Sequence, residues 1–432
     1  MSRLDGKENA VTSRAGGRRT GLMQTLGPGI MYAGAAVGVS HLVQSTRAGA
    51  DYGFSLIWAV VIVHLLKYPF FEYGHRYAAA TGESLLAGYQ RVGRWALPGY
   101  LLIALGLCVP TAAVLTIVTA GMAAQVFAVD LSPLTWGTIL LAGCVVVLAA
   151  GGYPLLDKAM KVLMAFLAIC TVMAVASAAG HGRAAVAGSP AMEVWSIAGI
   201  TFLVALMGWM PTPVDASAWP SLWMQARSAQ TGHRPTLREA LFDFRLGYFG
   251  SLFMALMFLS LGALVMFGTG VRFAGKADDF AAQFVSLYTS ALGSWSMPIV
   301  VAAAFITMFS TLLTVLDGYP RVLSAGCRLA WPQTQRLGQF MYWVVVAIMT
   351  VGALSIFALW TSHMRILIDF TTALAFLSAP VFGYLNCRAV SAAGLSAETA
   401  PPTWLRLLSW VGLVFLGGFS LLFLVIHFGP WK

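Results

Sequence analysis

Gly27-Pro28-Gly29-Ile30-Met31-Tyr32-Ala33-Gly34-Ala35-Ala36-Val37-Gly38-Val39-Ser40-His41 is apolar enough to lie in lipid, yet it holds four glycines and a proline and ends on an imidazole. A helix that crosses a bilayer must satisfy its main chain internally. Such a stretch is tolerated only where neighbours or a cavity take up the freed backbone groups. A second stretch of the same kind, Trp209-Met210-Pro211-Thr212-Pro213-Val214-Asp215-Ala216-Ser217, sets two prolines beside an acid. Both read as broken transmembrane helices.

The surrounding chain is membrane-like. Of 432 residues, 59% are hydrophobic and 10% charged, where soluble proteins carry about 25% charged residues. A window of ~19 residues finds about eleven segments: 27–48, 53–79, 97–127, 133–150, 156–178, 193–226, 241–268, 297–318, 338–360, 364–387 and 405–428. The net charge of +10 is dispersed between these runs and forms no patch, which argues against nucleic acid as a partner. Counted by loop, about 19 Lys and Arg fall on the side of the N-terminus and about 6 on the other. That asymmetry predicts a cytoplasmic N-terminus and an external C-terminus in the cell (inner) membrane. Residues 1–24 have no apolar core of signal-peptide type and read as a disordered basic tail. Cys108, Cys144, Cys170, Cys327 and Cys387 lie in or beside apolar runs without CxxC spacing and read as small buried hydrophobes.

The two broken segments are the first and the sixth, each opening a block of five. Matched interruptions in two halves mark an inverted-repeat transporter with its site near the midplane, and an odd block length gives the inversion. The expected organisation is a first repeat over 25–180, a second over 190–388 and an added helix over 404–428. The helices are expected to unwind near Gly38 to His41 and Met210 to Asp215. Leu237 to Arg245 reads as a short surface helix leading into the seventh span.

From Gly27-Pro28-Gly29 onward the chain resembles the Nramp family of proton-coupled divalent-metal transporters. The likeness runs through Gly49-Ala50-Asp51-Tyr52-Gly53-Phe54 and Trp58, Thr81-Gly82-Glu83-Ser84-Leu85, Ser132-Pro133-Leu134-Thr135-Trp136-Gly137 and Ser310-Thr311. It implies an all-α membrane protein of LeuT-type five-plus-five fold. The functional residues depart from the family. Its first-helix Asp-Pro-Gly-Asn falls on Gly38-Val39-Ser40-His41. Its Met-Pro-His falls on Pro213-Val214-Asp215, or on Met210-Pro211-Thr212 if the register slips by three. The two helix-three acids that pass protons in the family fall on Leu115 and Val118, and the tenth-helix Gln falls on Ala373. The usual proton path is therefore expected to be missing.

Ionisable groups at membrane depth mark a pathway or a pair. His41 and Asp215 sit at the two breaks and are expected to line one shared cavity. With Gly38, Ser40, Met210 and Pro213 they form the expected substrate site, and they are the candidate ligands if the cargo is a divalent metal ion such as manganese, iron or magnesium. The alternative is an amino acid or amine held by main-chain N–H groups of the first break, by Asp215 and by the nearby tryptophans. No resident cofactor is implied. Lys67 and Glu72 are poorly placed to pair with each other, so Lys67 is expected to seek an acid on another helix or to stand in for a coupling cation. Ser310, Thr314 and Asp317 share one face of the eighth span, where Asp317 can serve a gate or simply pair with Arg321. Asp369, Thr371 and Thr372 raise the same question in the tenth, Thr371 being the candidate for the ion path. The chain lacks GxGD, HExxH and GxSxG patterns, which argues against an embedded enzyme. Oligomeric state is not legible.

Overall fold

The computed structural model describes residues 27–151, 153–181, 192–360 and 363–428; within them the chain is helical, with no strand. The expected tail, 1–24, lies outside the described residues. The first crossing consists of α1 (Pro28–Ala36), a π-helical turn at Ser40–Ser45 and α2 (Thr46–Tyr52). It is followed by α3 (Ile57–Thr81), the short α4 (Leu85–Val92), α5 (Ala96–Phe127), α6 (Pro133–Ala149) and α7 (Tyr153–His181). The second block repeats the order. Its broken opening comprises α8 (Ile197–Trp209), a 3-10 turn at Val214–Ala218 and α9 (Trp219–Thr231). Then come α10 (Leu237–Val265), the short α11 (Ala277–Leu292), α12 (Met297–Ala330), α13 (Gly338–Trp360) and α14 (Met364–Ala392), with α15 (Thr403–Phe428) added at the end.

Seven of these segments are long and apolar enough to cross a membrane by those measures alone. The broken first segment, α3 with its buried Lys67, Glu72 and Arg76, and the helices α6 and α7 complete eleven crossings. The protein is an all-α integral membrane protein of LeuT-type five-plus-five architecture. α13 and α15 are the most open to the surroundings, with Leu359 and Val414 80% and 74% exposed, as lipid-facing helices require. The broken helices are interior. α10 packs along α1 and α2, α14 along α8, and α12 along α5.

Close main-chain approach explains the glycines at the start of the first helix. A Cβ on Gly29 would collide with the Asp243 carbonyl group of α10, and a Cβ on Gly247 with the Gly29 carbonyl oxygen. The Asp243 carboxylate accepts from Gly27 N at 3.1 Å and Gly29 N at 2.6 Å, satisfying N–H groups that the first turn of α1 leaves unpaired. Further along, Gly49 faces the Leu259 carbonyl and Gly262 the Thr46 carbonyl with the same lack of room. Asp243 also corrects an expectation. Residues 237–245 are not a separate surface helix but the first turns of α10, begun by a capping box between Thr236 and Glu239.

Gly29→Val should cost about 1–3 kcal/mol or more, since the α1–α10 seam cannot open for a branched side chain. Gly417→Ala, on lipid-facing α15 with open space around it, should be neutral or stabilising by up to about 1 kcal/mol. Thermal midpoints of the two purified variants check the contrast; equal midpoints would remove the close-approach account.

Candidate functional site at the two helix breaks

The first break is short. α1 ends at Ala36, Val37 leaves the helical region at φ −77°, ψ 77°, and Gly38 N turns back to the Ala36 carbonyl at 2.9 Å. Helical bonding resumes at once, with Leu42 N on the Gly38 carbonyl at 2.9 Å, but in π winding. The unwound residues are thus Val37 and Gly38, whereas residues 38–41 were expected. A Cβ on Gly38 would lie 2.7 Å from Thr311 Cγ2. The Thr311 hydroxyl sits 3.0 Å from the Gly34 carbonyl oxygen, tying α12 to the end of α1.

π winding also sets where His41 points. Its Nε2 lies 3.0 Å from the Ser251 carbonyl oxygen on α10, a pure acceptor, so Nε2 carries the proton. Nδ1 shares a 2.8 Å hydrogen bond with the Ser40 hydroxyl, which also lies 2.8 Å from the Ala36 carbonyl oxygen. Both nitrogens are engaged and the ring is fully buried. His41 is a tie between the first and seventh crossings.

The second break begins after Trp209. Met210 is extended (φ −95°, ψ 120°), the Met210–Pro211 peptide is cis, and winding resumes as the 3-10 turn at Val214. A helix end buried in this way leaves carbonyl groups without partners. Lys67 of α3 supplies them: its Nζ donates to the Met207 carbonyl at 2.7 Å and the Gly208 carbonyl at 2.8 Å. Inserting an ammonium group costs about 2.5–3.5 kcal/mol, and two charge-assisted hydrogen bonds at about 1.5–3 kcal/mol each offset it. Gly208 is required for a second reason, since a Cβ there would strike the Thr372 carbonyl oxygen of α14.

Asp215 is fully buried, and neither carboxylate oxygen has a hydrogen-bond partner. Its polar neighbours are the Tyr319 hydroxyl, the main-chain N–H groups of Asp215 and Ala216, and the Lys67 ammonium. Its main-chain carbonyl accepts from Tyr100 at 2.9 Å. Below it, Ser217 Oγ accepts from Asn386 of α14 at 2.8 Å, and Asn386 also binds the Phe70 carbonyl and the Tyr89 hydroxyl.

Between the breaks lies a cavity walled by Ala35, Ala36, Val39, Ser40, Thr111, Leu115, Trp209, Thr212, Pro213, Trp219, Thr311, Val315 and Tyr319. It holds about 30 Å³ of space for water centres, room for about two waters. Of the expected substrate residues, Ser40 and Pro213 are on this wall. Gly38 abuts it through Thr311, whereas His41, Met210 and Asp215 are not on it. The structure does not bring His41 and Asp215 together on this wall: His41 bonds the Ser251 carbonyl of α10, and Asp215 is fully buried outside the lining. Leu115 lines the cavity, and Val118 is buried apolar packing. The buried Trp209 indole N–H has no partner.

The expected path residues have separate fates. Thr314 donates to the Ser310 carbonyl at 2.8 Å within α12. Thr371 is fully buried with an unpartnered hydroxyl. Asp317 pairs with Arg321 at 2.7 Å, and it also accepts from Tyr342 of α13 at 2.9 Å and Trp223 of α9 at 3.3 Å. It thus joins three elements on the side where α9 ends.

The opposite side holds an ion-pair cluster that the residue pattern concealed. Arg47 of α2, 3% exposed, bonds Asp369 of α14 at 2.8 and 3.2 Å and Gln44 at 2.7 Å. Its guanidinium lies 4.8 Å from the Phe202 ring centroid on α8. Arg47 reads in sequence as a loop charge; only its partner 322 positions away reveals the role. Among the described residues no three His, Cys, Asp or Glu side chains are grouped closely enough to hold a metal ion.

Comparison with known proteins agrees with this geometry at the level of fold. A family model for natural resistance-associated macrophage protein-like (Nramp) proteins matches residues 29–426. An uncharacterized protein of Pasteurella multocida (strain Pm70) is 34% identical over 407 residues, covering 94% of this chain and 92% of that one. A crystal structure of the Eremococcus coleocola manganese transporter, bound to an aromatic bis-isothiourea compound, superposes with TM-score 0.67 at 14% identity, over 95% of this chain and 89% of that one. The structure of MhsT in complex with L-phenylalanine superposes with TM-score 0.62 at 13% identity, over 93% and 98% of the two chains. With two breaks, two repeats and a family match over nearly its whole length, this chain belongs to the Nramp family.

Proposed function

We propose that the chain is a secondary transporter that moves a small polar organic solute, of the amino-acid or amine class, by alternating access through the cavity between its two breaks. The coarse part of this reading follows from the family, whose structural neighbours here are transporters. The cargo is inferred from one observation: beside its aliphatic residues the cavity wall carries the hydroxyl side chains of Ser40, Thr111, Thr212, Thr311 and Tyr319, of which Ser40 and Thr311 already bond within the protein, and the indoles of Trp209 and Trp219, and no carboxylate, imidazole or sulfur. Hydroxyls and aromatic faces suit polar organic groups and organic ammonium ions. They provide no anionic oxygen to replace the tightly held water of a divalent ion. An unpartnered indole N–H favours an acceptor atom and disfavours a bare cation.

The competing reading is a divalent metal ion, and the Eremococcus coleocola manganese transporter among the structural neighbours supports it. On that reading Asp215 must turn onto the cavity wall and His41 must give up one of its two bonds.

The cavity as it stands admits only about two waters, so loading requires one side to open. With the N-terminus cytoplasmic, the Arg47–Asp369 pair and Phe202 form the outer closure, and Asp317 with Trp223 and Tyr342 forms the inner one. Alternating access then consists of breaking one cluster while the other holds. The protein would reside in the inner membrane.

In liposomes holding only this protein, a panel of labelled amino acids and amines should include a solute taken up saturably, with manganese uptake at the protein-free level. Thr111→Phe, which narrows the cavity, should lower the organic uptake at least about tenfold. Saturable manganese uptake with no organic substrate in the panel would return the metal reading.

Asp369→Asn weakens the outer closure without changing its shape. Labelling of Ser40→Cys by an impermeant maleimide from the outside should quicken by about 5- to 150-fold in that background, the range of a 1–3 kcal/mol coupling. An unchanged rate would mean that the pair does not hold the closed state.

A further inference from the structure

Lys67 is the buried charge that the cargo cavity does not use, and its position is specific. Half-helix C-terminal ends and unwound carbonyls at such breaks are where transporters of this architecture hold a coupling cation. Here the two carbonyls at the end of α8, those of Met207 and Gly208, point at one buried nitrogen at 2.7 and 2.8 Å. The neighbouring carboxylate of Asp215 is fully buried with no hydrogen-bond partner on either oxygen. The two carbonyls hold the nitrogen directly, and the Asp215 carboxylate, near but not ion-paired with it, supplies a single negative charge that one ammonium balances.

We propose that the Lys67 ammonium is a tethered cation: it fills a monovalent-cation site at the second break, so the protein needs no inorganic ion there. The site itself is a property of the folded chain. Its consequence for coupling, a transport cycle independent of sodium, rests on the transporter reading. The argument for occupancy by a side chain is geometric. Lys67 enters from α3 and donates to the two consecutive carbonyls of a helix end. Glu72, the next charge on α3, is committed elsewhere, to Arg76 at 2.6 Å and to Tyr68.

The test reads stability and not uptake, so its failure is distinct from a failure to find a cargo. Full-length protein is melted in sodium, potassium, methylammonium and choline chloride at equal ionic strength. The parental midpoint should be the same in all four. Lys67→Ala should melt lower in choline and recover by about 2–4 °C in methylammonium or sodium, the cation refilling the vacated place. Lys67→Met keeps the side-chain length without a donor and should show the same cation response if the alanine variant does not fold. A parental midpoint that rises in sodium over choline would overturn the proposal. So would a folded Lys67 variant whose midpoint is equal in methylammonium, sodium and choline.

Discussion

A helix broken inside a bilayer leaves main-chain groups that lipid cannot satisfy, and Lys67, His41 and Asp243 are placed to answer that demand. Lys67 closes the end of α8 through the Met207 and Gly208 carbonyls. His41 and Ser40 bind each other and the Ser251 carbonyl beside the first break. Asp243 satisfies the N–H groups that open α1. Remove these side chains and the two breaks become unpaired polar gaps in a low-dielectric interior; keep them, and the cavity between the breaks is left neutral.

That neutrality is the main departure from what the residues suggest when taken alone. An imidazole and a carboxylate at opposing breaks look like a ligand pair, and their chemistry would serve a divalent ion. The structure spends the imidazole on a hydrogen-bonded tie and sets the carboxylate beside an ammonium group. These charges are internal, and the cavity between the breaks is walled by aliphatic side chains, hydroxyl-bearing residues and aromatic rings.

The architecture was legible because it is written in local composition. Gly27-Pro28-Gly29 and Met210-Pro211-Thr212-Pro213 interrupt apolar runs at matching places, and no packing partner is needed to see that. The site was legible in part. Ser40 and Pro213 were identified and do line the cavity, but the direction of His41 depends on π winding, which periodicity at 3.6 residues per turn does not anticipate. Arg47 and Asp369, Lys67 and the Met207 carbonyl, and Asn386 with Ser217 are pairs 322, 140 and 169 positions apart. Such partners arise only when the fold brings distant helices together. The continuity of 237–245 with α10 was hidden for the opposite reason: its charges look solvated, yet Asp243 is buried against the start of α1.

The central claim is that the charges at the breaks are committed to the protein and unavailable to a metal ion. Isothermal titration of manganese into the purified full-length protein tests it most directly. The account predicts no saturable binding tighter than about 1 mM, and no difference between the parental chain and Asp215→Asn. One-site binding in the micromolar range, lost in both Asp215→Asn and His41→Ala, would contradict it and make the two residues ligands.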